Sequence, residues 1–130
     1  MKNQLDVAKI QTVLAARPGA IREALKSTLA LFPRLEISGV ANGGLSALSL
    51  VRQQKPALII VDPGLLEDEI AVLVQKIKQE QPQIRCLLLA ETTRQQNLFL
   101  ALDADAVILR SDTTERLVLV LDKIGLWSSD

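Results

Sequence analysis

The sequence predicts a doubly wound α/β domain, and three observations carry the prediction. Short apolar runs alternate with segments of helical periodicity five times along the 130 residues. The runs are nearly continuous rather than alternating, as in strands covered on both faces. Parallel neighbours need helical crossovers, and each run is followed by a segment able to supply one. The length suits one domain, 1–130, with a core over about residues 9–125. No internal repeat, low-complexity tract or linker interrupts it.

Ile10 to Ala16 is the first strand candidate, cut off by Arg17-Pro18-Gly19. Ile21, Leu25, Leu29 and Phe32 then recur at helical spacing, with Arg22, Glu23 and Lys26 on other faces, until Pro33 stops the helix. Leu35 to Val40 is a second, more polar strand, placed nearer an edge. Asn42-Gly43-Gly44 turns the chain into a helix whose apolar side includes Ala47, Leu48 and Val51. A glycine pair at such a junction could cradle phosphate, but no Gly-x-Gly-x-x-Gly or Gly-Lys-Ser/Thr accompanies it, so it reads as a plain turn.

Lys55 to Gly64 is the centre of the pattern. Ala57 to Val61 is wholly apolar and rich in β-branched residues, and it stops at Asp62, followed by the turn signal Pro63-Gly64. Ile70, Leu73, Val74 and Ile77 give i, i+3, i+4, i+7 spacing in a helix that ends before Pro82. Ile84 to Ala90 is a fourth strand, Thr92 to Leu102 a helix, and Ala106 to Leu109 a short fifth strand. Asp112 and Glu115 have capping-box spacing for a last helix with Leu117, Leu121 and Ile124 on its core side, and Gly125 is its stop signal.

At this size the flavodoxin-like strand order 2-1-3-4-5 is favoured for a five-stranded parallel sheet. Strands one and three are then neighbours, which brings the loops after Ala16 and Asp62 together. An acid at the carboxyl end of a buried parallel strand lies where open α/β sheets place their ligand chemistry. Asp62 taken alone has two roles open to it, a functional acid or the cap of a turn.

Composition narrows the function. Fifteen basic residues balance fifteen acidic ones, so charge gives no argument for nucleic acid or an anionic surface. No apolar run is long enough to span a bilayer, and the polar Met1–Lys9 segment does not read as a leader, so a cytoplasmic location is expected. The chain has no histidine, which removes the usual general base and the commonest metal ligand and argues against hydrolytic chemistry. Cys86, the single cysteine, sits in an apolar run and is expected as a reduced, buried thiol.

Four stretches, Ile21-Arg22-Glu23-Ala24-Leu25, Lys55-Pro56-Ala57, Pro82-Gln83-Ile84-Arg85 and Ala104-Asp105-Ala106-Val107-Ile108-Leu109, stand in a fixed order and spacing. By them the chain, over about residues 10–124, resembles the receiver (CheY-like) domains of bacterial two-component response regulators, above all those preceding LuxR-type or NarL-type DNA-binding domains. It puts Asp62 at the phospho-accepting aspartate. The acidic pair that holds Mg²⁺ in such domains falls on Ala16 and Arg17. The Ser or Thr of strand four falls on Ala90, the aromatic of strand five on Val107, and the lysine after strand five on Arg110.

These replacements imply a degenerate site with no metal, no cofactor and no catalytic residue. Phosphoryl transfer to a carboxylate brings anions together and depends on neutralisation by metal and lysine. Ala16 and Arg17 offer no such ligand. Asp62 is instead expected to meet Arg17, Arg110 or water, with Glu91 competing for either guanidinium. The function expected is a phosphorylation-independent pseudo-receiver that works through protein contacts and is not an enzyme. The alternative is a true receiver phosphorylated on Asp62 by a histidine kinase with Mg²⁺. A more distant alternative is a sensor of a small anionic ligand in an arginine-lined crevice.

Leu98, Ala101 and Leu102 at i, i+3, i+4 on the fourth helix, with Leu119 on the last, stand where polar residues are common in the resemblance. Contiguous exposed apolar surface marks interaction sites. A homodimer or partner surface on helix four, strand five and helix five is therefore expected, with no role in binding nucleic acid or membrane.

Overall fold

The computed structural model describes residues 8–127, so Ser128-Ser129-Asp130 and most of the polar Met1–Lys9 segment lie outside the described residues. Strands β1 (Ile10–Ala15), β2 (Leu35–Ala41), β3 (Leu58–Val61), β4 (Arg85–Ala90) and β5 (Ala106–Leu109) alternate with helices α1 (Ala20–Leu29), α2 (Gly44–Gln54), α3 (Glu67–Glu80), α4 (Thr93–Leu100) and α5 (Thr113–Lys123). The strands form one sheet of order β2-β1-β3-β4-β5. Every pairing is parallel.

Alternation along the strands divides the core in two. Val13, Ile59, Val61, Cys86 and Leu88 point to one face, where α2, α3 and α4 cover them with Val51, Ile70, Leu73, Val74, Ile77 and Phe99. Leu14, Leu58, Ile60, Leu87 and Leu89 point to the other, under Leu25 and Leu29 of α1 and Leu117 and Leu121 of α5. All four residues of β3 are buried, which is why its sequence is an unbroken apolar run. The polar β2 is an edge strand, and its Glu36 accepts a hydrogen bond from Gln11 of β1 at 2.8 Å.

Helix ends depart from the sequence pattern at three places. Ile21 lies in the first turn of α1, beyond the part of the helix that Leu25 and Leu29 hold against the sheet, and is 56% exposed rather than on the core side. The Asp112–Glu115 capping box does not form. A single 3₁₀ turn, Arg110–Asp112, precedes α5, and the Thr113 hydroxyl donates to the Arg110 carbonyl at 2.8 Å instead. Helix α4 ends at Leu100, so Ala101 and Leu102 follow it rather than extend its stripe. At the far end Gly125, with φ +84°, closes α5 in a Schellman arrangement, Leu126 N–H bonding back to the Leu121 carbonyl at 2.8 Å.

Among the described residues no helix is long and apolar enough to cross a membrane. Cys86 is a free, buried thiol.

Candidate functional site

The carboxyl ends of β1, β3, β4 and β5 lie side by side, and Asp62 is the first residue after β3. Its N–H donates to the Ala15 carbonyl at 2.9 Å, fastening the turn to the end of β1. The residue is 3% exposed. Both carboxylate oxygens are engaged from within the chain. Oδ1 accepts from Arg110 Nη1 at 2.8 Å, and Oδ2 accepts from the Gly64 N–H at 2.8 Å. A Cβ at Gly64 would stand 2.8 Å from Oδ2, so the turn requires glycine for close approach rather than for an unusual φ.

Arg110 reaches this carboxylate because it begins the turn that leaves β5. Its other terminal nitrogen lies 3.5 Å from Glu91 Oε1. The two pairings differ in worth. At about 4 Å and an effective dielectric near 20, two unit charges attract by roughly 4 kcal/mol before desolvation. The Glu91 side chain is 63% exposed against 5% for Asp62, so its pair is the weaker.

Arg17 does not join them: of the partners open to Asp62, Arg110 meets it and Arg17 lies elsewhere. Its Nε donates to the Gly64 carbonyl at 3.1 Å and its Nη2 lies 3.4 Å from Glu69 Oε1. Glu69 holds it there. Glu69 also accepts from the Gly44 N–H at 2.7 Å and the Leu66 N–H at 3.2 Å, so one carboxylate serves the amino ends of both α2 and α3. The Gly43-Gly44 pair is thus more than a plain turn. A Cβ on Gly44 would lie 2.7 Å from Glu69 Cγ, and the anion at this helix end is supplied by the chain itself.

Ala16 is buried and offers no oxygen ligand on its side chain; Arg22 of α1 donates to its carbonyl at 3.3 Å and to Asn42 Oδ1 at 2.6 Å. Ala90 is fully buried at the end of β4, and Val107 is half-buried against the α4 side of the core. Magnesium, the ion implied by the resemblance, needs oxygen ligands. Here Asp62 is bound on both oxygens, the Ala16 side chain has none to give, and Arg17 is a cation. Among the described residues no three His, Cys, Asp or Glu side chains stand close enough to hold a metal. The residues present do not fit the ion.

Arg22 and Glu69 were missed by the sequence reading. In the sequence Arg22 reads only as part of a polar helix face. Glu69 lies 25 residues from the backbone group it caps, a relationship no local pattern carries.

The apolar residues expected on one surface are divided by the structure. Ala101 and Leu102 line a groove with Ala71, Val74 and Lys78 of α3. Leu98 is 42% exposed and follows Arg94, which bonds Glu67 at the amino end of α3, by one turn. These residues therefore face α3, not α5, because Gln95 and Phe99 are the buried side of α4 and turn Gln96 toward α5. Leu119 stands alone of the set on α5, 63% exposed. Between α4 and α5, over β5, runs a groove of about 460 Å³ whose lining includes Gln96, Val107, Arg116, Val120 and Lys123. Leu100, one turn beyond Gln96, is 62% exposed.

No family model matches the chain. It is 27% identical over 106 residues, 82% of its length, to the uncharacterized transcriptional regulatory protein YhcZ of Bacillus subtilis, and spans half the length of that relative. Among solved structures it is similar to a DNA-binding response regulator of the LuxR family from Staphylococcus aureus, at 22% identity, TM-score 0.72, covering 88% of this chain and 98% of that one. A LuxR-family two-component response regulator from Aurantimonas gives 18% identity and TM-score 0.74, covering 90% of this chain and 85% of that one. The isolated receiver domain of RcsB from Salmonella enterica, solved with a phosphomimetic beryllofluoride, gives 14% and 0.73, with 92% of each chain covered. With strand order, helix placement and these likenesses in agreement, the chain has the CheY-like fold of the receiver domains of LuxR- and NarL-type response regulators.

Proposed function

We propose that this chain is a receiver-like signalling domain that works without phosphorylation, through protein contacts, and is not an enzyme. The observation that carries the reading is the state of Asp62. Its two oxygens are satisfied by Arg110 and Gly64 inside a nearly closed site. A carboxylate that attacks phosphorus must free an oxygen and tolerate a second anion beside it. Neutralisation by metal and lysine ordinarily makes that possible, and it supplies most of the catalysis. Ala16 and Arg17 supply no ligand for the metal, and Arg17 is drawn to Glu69 and Gly64. Ala90 has no hydroxyl to follow a phosphoryl group, and Val107 is no swinging aromatic. Arg110 already supplies the charge that phosphorylation would otherwise recruit.

The partner surface this reading favours is the groove between α4 and α5, with Leu100 and Leu119 on its flanks and Arg116 and Lys123 in its lining. The lining also carries Asp105 and Asp112, so apolar anchors beside charges of both signs suit a protein partner with a mixed polar rim.

Incubation with acetyl phosphate or phosphoramidate and Mg²⁺, followed by rapid intact-mass measurement at neutral pH, tests the first part. The expected mass is that of the unmodified chain, and beryllofluoride is expected to give no thermal shift. A stoichiometric phosphate adduct that disappears in Asp62→Asn would instead make the chain a true receiver.

A further inference from the structure

Helices α2 and α3 pack side by side, and between them lies an apolar groove of about 390 Å³ lined by Leu45, Leu48, Val72 and Leu73, with Asp68 and Glu69 at its upper end. Leu45 is 87% exposed and Val72 53%, so two large apolar side chains stand in water on its rims. The two helices are tied at both ends. Glu69 bonds the first N–H of α2 at 2.7 Å, and Arg52 and Glu80 form a two-pronged ion pair at 2.7 and 2.6 Å. A surface held this way needs little ordering to bind, which lowers the cost of association.

The charges on this surface are self-complementary. Asp68, Val72 and Lys76 lie at i, i+4, i+8 along α3, and all three are exposed. At 1.5 Å per residue the acid and the base stand about 6 Å to either side of the valine. A two-fold axis through Val72 would lay a second α3 antiparallel on the first. It would set Asp68 of each copy against Lys76 of the other, so that each such contact occurs twice. Neither residue forms an ion pair of its own among the described residues.

We infer that this face binds a second copy of the chain, α3 against α3 in antiparallel order, with Val72 at the centre and Leu45 closing the apolar strip. The inference does not depend on whether Asp62 is phosphorylated, and the surface is separate from the α4–α5 groove.

Sedimentation velocity over a concentration series, on the whole chain, tests it by charge reversal. Asp68→Lys alone sets lysine against lysine twice, and Lys76→Asp alone sets acid against acid twice. Each single change is expected to weaken dimerisation by about tenfold or more, equivalent to about 1.4 kcal/mol. The double variant Asp68→Lys/Lys76→Asp restores both pairs in reversed order and is expected to return within about threefold of the parent. Both positions are exposed, so circular dichroism should show the same folded state throughout, and Leu45→Ser provides an independent loss of dimer. A parent that stays monomeric throughout the series overturns the inference. So does a dimer indifferent to the single changes, one that the double change fails to restore, or one lost only on Leu119→Ser.

Discussion

Arg110 lies 2.8 Å from Asp62 across 48 residues of chain, and the two partners differ in burial, the acid side chain being 5% exposed and the base 23%. That asymmetry decides which loss is worse. Without Arg110, a buried carboxylate keeps only the Gly64 N–H. Without Asp62, the guanidinium still has Glu91 at 3.5 Å and access to water. Breaking a buried pair from one side costs several kcal/mol, and less where water can enter. Arg110→Ala is therefore expected to destabilise by about 2–4 kcal/mol and Asp62→Asn by about 1–2 kcal/mol. Urea unfolding of both singles and the double closes a cycle with a coupling of about 1–3 kcal/mol. Additive losses would mean that the pair contributes nothing.

The strands were legible in the sequence because the sheet is buried on both faces. Ala57 to Val61 has the unbroken apolar run of such a strand, and the order favoured for five of them at this size, 2-1-3-4-5, is the one observed. Which arginine meets Asp62 was not legible. Arg17 and Arg110 stand at comparable loop positions, and the choice falls to Glu69, which draws Arg17 away from a helix distant in sequence. The apolar stripe on α4 misled for a local reason. Period alone does not say where a helix stops, and an end at Leu100 takes Ala101 and Leu102 out of the spacing that joined them to Leu98. Ile21 failed similarly, since a first turn can follow helical period beyond the reach of the sheet beneath it.

The bond between Glu69 and Gly44 has a sign that can be reversed. A Cβ at Gly44 would meet Glu69 Cγ at 2.7 Å, so Gly44→Ala must displace that side chain and lose its bonds to the Gly44 and Leu66 N–H groups. A lost helix cap costs about 1 kcal/mol, which is the destabilisation expected for Gly44→Ala in the parent. In a Glu69→Ala background the obstruction is gone. There the same change should be neutral or stabilising by a few tenths of a kcal/mol, since alanine restricts the unfolded chain more than glycine does. Thermal melts of the four proteins decide it. Equal effects of Gly44→Ala in both backgrounds would show that the contact does not matter.

Cys86 gives a prediction in alkali. It is fully buried on β4, and burial pushes its thiol up from about 9 to about 12, with the nearby Lys78 charge opposing the rise. The thiolate is the reactive form, so an aromatic disulfide reagent at pH 8 should label the chain only as fast as it unfolds. The folded state keeps its proton after the unfolded state has released it. The stabilisation is thus fully present below the unfolded value near 9 and is lost as pH rises through the folded value near 12. Comparison with Cys86→Ala separates this from every other titration in the chain. The alanine variant is expected to be less stable at pH 7 by about 1 kcal/mol, through the cavity it leaves. That gap should close, and then reverse, by about 1.4 kcal/mol per pH unit above pH 9. A gap constant from pH 7 to pH 11 would mean that the folded thiol ionises as readily as the unfolded one, and that β4 at Cys86 is open to water.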